Sequence, residues 1–187
     1  MSAYEEERGT ARHDGELVRG TRVVLRPKRL SDAPRDYAWR SDPNLARYDA
    51  SPPLRGTQAE YVASYTEELL HPPARRRVIA VDDLQKRHIG NVMYYNIDLA
   101  RHEAEVGITI GEPAYWGRGY GSEAVRLLVD YIFATTSLTR LYLHTLDWNL
   151  RAQRSFARAG FRDCGRAYRS GHIFHVMEAR REWRREG

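Results

Sequence analysis

The segment Tyr115-Trp116-Gly117-Arg118-Gly119-Tyr120-Gly121-Ser122 is punctuated by three glycines. A turn built this way leaves several backbone N–H groups uncovered, and a helix that follows adds the positive end of its dipole, so it is suited to hold a phosphorylated ligand. Glycine also serves ordinary tight turns, so the flanking elements must decide. Upstream, Val106, Ile108 and Ile110 alternate with Glu105, Gly107 and Thr109, which is strand spacing. Downstream, Ala124, Leu127, Leu128, Tyr131 and Ile132 recur at helical spacing, with Ser122 placed to cap and Glu123 in the first turn. The order is strand, glycine turn, helix.

The spacing excludes two common phosphate sites. A Walker A loop needs a lysine directly after its second glycine, and none follows Gly119 or Gly121, so nucleotide hydrolysis is not expected. A dinucleotide fingerprint needs G-x-G-x-x-G at the head of a βαβ unit, whereas Gly117, Gly119 and Gly121 give G-x-G-x-G. Two other sets of reactive residues carry less. His172 and His175 would face opposite sides of a strand, so no metal site is expected. Cys164 has no placed histidine partner and reads as a buried structural thiol.

The elements that position the turn fit one domain of 187 residues, with 42% hydrophobic and 11% aromatic content in the globular range. Residues 1–18 are charged and poor in apolar side chains, so a flexible lead-in is expected there and a single domain over 19–187. No apolar run is long enough to span a membrane, and the polar start MSAYEEERGTARHDGE lacks the apolar stretch of a secretion signal. A cytoplasmic protein is expected. The net charge of +5 gathers in Arg75-Arg76-Arg77 and the arginine-rich tail, yet no nucleic-acid reading motif accompanies it, and a polyanionic small ligand explains it equally.

Along the chain, Arg22 to Arg26 reads as a strand stopped by Pro27, and Ser31-Asp32 starts a helix through Tyr37 and Trp39. Pro43, Pro52 and Pro53 break the chain into a loop before Thr57 opens a helix that ends at Pro72 and Pro73. Val78 to Val81 and Ile89 to Ile97 form a hairpin, extended into a meander by Glu103 to Ile110. After the turn and its helix come a buried strand, Leu141 to Leu146, a short helix capped by Asn149 and closed by Gly160, and a final hairpin ending near Ala179. Helices beside a mostly antiparallel sheet make the fold class α+β.

With W-G-R-G-Y-G-S-E-A after the fourth strand and D-W-N-L-R-A-Q-R-S-F-A-R-A-G-F after the fifth, the chain resembles the GNAT superfamily of acyl-CoA N-acyltransferases from about Thr21 to Glu178. Its cofactor motif, Q/R-x-x-G-x-G/A, is matched at both glycines, with Trp116 at the first position. The Y-W-G-x-G-Y-G form is similar to the branch holding ribosomal-protein N-terminal acetyltransferases and spermidine acetyltransferases. The resemblance implies a mixed, mostly antiparallel sheet of about seven strands, splayed in a V between the fourth and fifth, with about four flanking helices. It implies acetyl-CoA as cosubstrate. The pantetheine arm would pair with the backbone of Ile108, Thr109 and Ile110. The pyrophosphate would sit over the N–H groups of Trp116, Gly117, Arg118, Gly119, Tyr120, Gly121 and Ser122, with Arg118 adding charge.

By the same resemblance, Asn149 would bond the pantetheine amides, or serve only as a helix cap. Arg154 and Arg158 would meet the cofactor's phosphates, with a solvated face as the alternative for Arg158. Glu105 is the candidate base or amine-orienting group, its alternative being an edge-strand glutamate in an ion pair. Phe156 stands where many relatives carry a proton-donating tyrosine, and it becomes a packing wall. An amine attacks a thioester only when neutral, so a base must take its proton, and a backbone N–H freed where strands diverge can steady the oxyanion.

The implied acceptor is a primary amine, on a small molecule or a protein N-terminus. Asp42, Asp49, Glu60, Glu67 and Glu68 could attract a cation, and Tyr37, Trp39, Tyr48, Tyr61, Tyr65, Tyr94 and Tyr95 cluster near that side. Two other readings stand beside the enzyme: a catalytically weak CoA-binding sensor or scaffold, favoured by Phe156, and a basic nucleic-acid-binding module. Oligomeric state is not encoded legibly, a homodimer being the commonest assembly.

Overall fold

Val23 and Leu25, Ile79 and Val81, and Ile89 and Val92 are apolar residues of neighbouring strands, and they join Leu127, Leu128 and Ile132 of the helix after the glycine turn in one buried cluster. The computed structural model describes residues 15–184. Their elements run β1 (Val18–Arg19), β2 (Val23–Pro27), α1 (Ala33–Ser41), α2 (Pro43–Ala46), α3 (Gln58–Leu70), β3 (Arg76–Asp83), β4 (His88–Asp98), β5 (Glu103–Ile110), α4 (Tyr120–Thr135), β6 (Arg140–Leu146), α5 (Leu150–Arg158), β7 (Arg162–Arg169) and β8 (His172–Arg180). The sheet order is β1-β2-β3-β4-β5-β6-β8-β7.

Every neighbouring pair is antiparallel except β5 and β6. That parallel pair is short: Glu103 faces Arg140, Ala104 faces Leu141, Glu105 faces Tyr142, and there the ladder stops. Beyond it β5 continues along β4 to Ile110 while β6 continues along β8 to Leu146. The chain therefore opens the V that was expected between the fourth and fifth strands, which are β5 and β6 in this count.

The count differs because β1 adds an eighth strand among the described residues. Residues 1–14 of the expected lead-in lie outside the described residues, whereas the Leu17 amide donates to the Leu25 carbonyl at 2.8 Å and Val18 pairs with Leu25. A fifth helix arises at Pro43, expected only as a breaker. Proline lacks the N–H that a first helical residue does not use, and Asp42 caps the turn by accepting from the Asn44 amide at 2.7 Å. Ser122 does not cap α4: Gly119, at φ 88°, is the N-cap, and Ser122 lies inside the first turn. Cys164 is exposed on β7 rather than buried, its thiol donating to the Val176 carbonyl at 3.2 Å.

The other face of β2, β3 and β4 is ionic. Buried Arg26 donates to both Asp32 and Asp82, at 2.7–2.9 Å, and joins the loop before α1 to the sheet. Close contact between β4 and β5 depends on one glycine. A Cβ on Gly90 would stand 2.1 Å from the Thr109 carbonyl oxygen, a backbone atom that cannot swing aside. Gly90→Ala is expected to force the two strands apart and cost at least the roughly 1–3 kcal/mol of ordinary overpacking, read as a lower urea midpoint at unchanged m-value.

Candidate active site

The V between β5 and β6 opens into a cleft of about 860 Å³, walled by β4, β5 and β6, the glycine turn, α5 and the first three helices. Ile108, Thr109, Ile110, Trp116, Gly117, Gly119, Gly121, Ser122, Asn149, Phe156 and Arg158, all expected at the donor site, line it together. Gly119 takes the left-handed conformation and so starts α4 with its first amides turned to the cleft side. The turn is held from behind by Glu123, which is buried and accepts from the Thr21 amide, the Thr21 hydroxyl and the Arg22 amide at 2.7–2.8 Å. Burial would raise its carboxyl, but these hydrogen bonds outweigh that and hold it below the usual carboxylate range.

Trp116 has a structural reason to replace the usual polar residue. Its indole Nε1–H donates to the Ile110 carbonyl at 2.7 Å, so the turn is stapled to the end of β5. That carbonyl is occupied, and the open backbone along β5 is what remains at Ile108 and Thr109. The Trp116 ring meets Tyr48 edge-on at 5.6 Å, Tyr48 meets Trp148 at 5.5 Å, and the Arg151 guanidinium lies 3.8 Å over Trp116. This stack joins the segment after α2 to the turn and to α5.

Three of the residues expected to bind the cofactor do not line the cleft. Arg118 turns back to donate to the Ala114 carbonyl at 3.2 Å, and Tyr120 packs edge-on against Tyr115 at 4.9 Å. Arg154 is exposed on another side of α5, whose cleft face carries Arg151, Ser155 and Arg158 at i, i+4 and i+7. Arg151 was missed because the rotation of a short helix about its axis is set by packing. Ser155 shares a hydrogen bond of 2.9 Å with Ser122, and the Arg158 Nε–H donates to the same Ser122 hydroxyl at 3.3 Å, which closes α5 onto α4. Asn149 caps α5, its Oδ1 accepting from the Ala152 amide at 3.2 Å, and still faces the cleft. Phe156 is buried against Phe161 and forms a wall.

Glu105 sits where the strands part, buried, and is not itself on the cleft surface. Its Oε1 lies 2.7 Å from His144 Nδ1, and its Oε2 accepts from Asn96 Nδ2 at 3.0 Å. His144 does line the cleft. The sequence signal for it was present, a lone histidine in L-Y-L-H-T-L, but its partner lies on a strand joined only through α4.

On the acceptor side, Asp36 is the hub of a buried cluster. It binds Lys28 Nζ, His88 Nε2 at 2.9 Å, Asn91 Nδ2 at 2.8 Å and the Tyr65 hydroxyl at 3.2 Å. Burial would raise the Asp36 carboxyl, yet the His88 hydrogen bond and the Lys28 charge hold it below its ordinary range. Burial pulls His88 down, but Asp36 and Asp82 prevail and its pKa is raised. Burial wins at Lys28, whose pKa is lowered. Of the acids expected to attract a cation, Asp42 and Glu60 are helix caps, Glu68 pairs with Arg76, and only Asp49 and Glu68 line the cleft.

The family model for the acetyltransferase (GNAT) domain matches residues 22–162. An uncharacterised N-acetyltransferase, p20 of Bacillus licheniformis, is 33% identical over 64% of this chain and 67% of its own. The spermidine N(1)-acetyltransferase of Vibrio cholerae is 33% identical over 49% of this chain and 52% of its own. The solved structure of spermidine N-acetyltransferase from Vibrio cholerae with CoA and spermine superposes with a TM-score of 0.77 at 23% identity, over 87% of this chain and 98% of that one. Among the described residues, no helix is long and apolar enough to cross a membrane. A cleft opened by strand divergence, floored by an exposed strand backbone and ended by a left-handed glycine turn fits an extended thioester cosubstrate, and with the matched domain it places the chain in the GNAT acetyltransferase family, with acetyl-CoA as cosubstrate.

Proposed function

We propose that the enzyme transfers acetyl to the primary amine of a cationic acceptor, most simply a small polyamine or amino sugar, with a protein N-terminus as the larger alternative. The observation that carries this is Asp49. It lines the cleft and makes no hydrogen bond or ion pair among the described residues, only the charge of Arg40 acting on it. Asp49 is exposed to the cleft, yet the surrounding walls push its carboxyl up to about 6, and solvent in the open cleft screens part of that shift. A carboxylate without a side-chain partner, in a cleft also lined by Tyr48, Tyr61, Tyr65, Tyr94 and Tyr95, suits an ammonium, through charge and through ring faces.

Acetyl-CoA would lie along β5, with its pyrophosphate over the turn from Trp116 to Ser122 and its pantetheine beside Ile108, Thr109 and Asn149. Arg158 and Arg151 are the cations on that side of the cleft. The thioester then rests where β5 and β6 part, and backbone amides released from the ladder past Glu105 stand ready for the oxyanion. The acceptor reaches the same point from the Asp49 side, and its neutral nitrogen attacks directly. Phe156 cannot protonate the leaving sulfur, so the thiolate leaves with water as its proton source. The weak-sensor reading rests on that same phenylalanine.

Thiol release from acetyl-CoA against polyamines, amino-sugar antibiotics and N-terminal peptides tests the proposal. Turnover with at least one cationic amine is expected, together with a higher melting temperature in excess acetyl-CoA. Thermal stabilisation without thiol release from any acceptor would favour the sensor. Asp49→Asn is expected to raise KM for the amine roughly tenfold, the scale of one charge-assisted hydrogen bond, with kcat nearly unchanged. In the unmodified enzyme KM should climb as pH falls below about 6, the range over which Asp49, raised by its surroundings, takes up a proton.

A further inference from the structure

We infer that the group which takes the proton from the attacking amine is His144, and that Glu105 acts through it as a positioning residue. This deepens the acetyl-transfer reading and rests on it. The expected base, Glu105, lies behind the cleft surface with both oxygens engaged, one by His144 Nδ1 at 2.7 Å and the other by Asn96 Nδ2 at 3.0 Å. An ionised carboxylate only accepts, so Nδ1 carries the ring proton and Nε2 keeps its lone pair. His144 Nε2 has no hydrogen-bond partner among the described residues, and the residue lines the cleft.

The placement follows from the topology. Glu105 and Tyr142 are the last facing residues of the parallel ladder, and His144 is the next residue on that side of β6, where the strands have opened. Phe174 of β8 and Tyr142 meet the imidazole edge-on at 6.3 Å and 5.9 Å and fix its plane. Glu105 on β5 and Tyr142 on its own strand touch the imidazole, and Tyr95 on β4 interacts with that same glutamate and with Asp49. Burial and the Glu105 charge raise both tyrosines, so they stay neutral, and Glu178 on β8 is taken by Arg140 and Arg180.

The step balances without a further reactant. The amine lone pair forms the N–C bond to the thioester carbonyl carbon, the C–S pair leaves on sulfur, and the ammonium proton passes to His144 Nε2. The imidazolium formed faces the Glu105 carboxylate at hydrogen-bond distance. Proton loss to solvent resets the site, and water protonates the thiolate.

The test is kcat against pH for the full-length protein, His144→Gln and Glu105→Gln, using acetyl-CoA and the best amine of the panel. His144→Gln is expected to lower kcat by roughly 10²–10⁴-fold, with the acetyl-CoA melting shift and the amine KM close to those of the unmodified enzyme and the acid limb of the profile gone. Glu105→Gln leaves the imidazole in place. Its kcat should fall less, and the acid limb of its profile should persist. Unchanged kcat in His144→Gln, or loss of the acid limb in Glu105→Gln alone, overturns the proposal and returns the role to the carboxylate. If His144→Gln does not fold, persistence or loss of the acid limb in Glu105→Gln still decides. Silence of the unmodified enzyme toward every amine overturns the acetyl-transfer reading, and this one with it.

Discussion

Asp36→Ala is expected to destabilise the protein by about 3–5 kcal/mol, the cost of removing one partner from a buried ion pair. In a chain of this length that corresponds to a melting temperature lower by roughly 6–20 °C. The loss is large because, among the described residues, Asp36 is the one anion shared by Lys28, His88, Asn91 and Tyr65. Without it, Lys28 is left with Asp32 at 3.9 Å and His88 with Asp82 at 3.6 Å, both more distant partners inside the fold. Adding Lys28→Met should recover part of the loss, since an apolar replacement of the whole pair avoids the desolvation that an orphaned charge suffers.

The pH dependence of that cluster has a defined sign. His88 is raised in the folded state, so its contribution is complete below the unfolded value of roughly 6.5 and fades as pH climbs through the higher folded value. Asp36 is lowered, so its contribution is complete above the unfolded carboxylate range and fades as pH falls through the folded value. The stability difference between the unmodified protein and His88→Gln, followed by urea titration, should therefore be largest in mildly acidic buffer and shrink toward alkaline pH. Because Lys28 and Asp36 also line the cleft, milder substitutions there should weaken amine binding before they affect acetyl-CoA.

The second large effect is expected at Gly119. Gly119→Val should lower acetyl-CoA affinity by about 100-fold or more, equivalent to roughly 2.8 kcal/mol, and abolish the melting shift that acetyl-CoA confers. Space is not the reason, since a Cβ there would find Arg22 Nε at a comfortable 3.6 Å. Conformation is: φ is 88°, a region that β-branched residues avoid, and the turn can reach an ordinary φ only by rotating the first amides of α4 out of line. Gly121→Ala is the control. Its nearest new contacts would be ordinary ones of 3.6–3.7 Å and its φ is not left-handed, so the turn should keep its conformation, and any loss of affinity reads as crowding of the cosubstrate by the new methyl. Gly117 lies between the two: it is left-handed at φ 71° with no atom near a new Cβ, and asparagine should be tolerated there.

Much of this was legible in local pattern. The alternation through Glu105 to Ile110, the glycine turn and the helical spacing from Ala124 to Ile132 gave β5, the turn and α4 in order, and Asn149 and Thr57 cap their helices as their side chains suggest. What sequence could not supply are relations across distance. Whether Arg151 or Arg154 faces the cleft depends on how α5 is rotated against α4, and the partnership of Glu105 with His144 depends on where a parallel ladder stops. Asp36 drew no reading from sequence, because nothing local announces that Lys28, His88 and Asn91 will converge on it. Pro43 and Ser122 were misplaced for a smaller reason. Proline suits a helix start as well as a break, and a left-handed glycine can open a helix before the residue whose side chain looks like its cap.

The aromatic stack at the mouth of the cleft gives the protein its own optical reporter. Trp116 and Trp148 flank Tyr48 there, Trp39 lines the same cleft, and the fourth tryptophan, Trp183, lies apart against Arg162. Indole emission depends on nearby charge and solvent, so Trp39 and Trp116, which line the cleft, can register events there while Trp183 supplies a steady background. On the proposed placement of the cosubstrate, its arrival beside the Trp116–Arg151 pair should change intrinsic fluorescence, without a label and before any bond is made or broken.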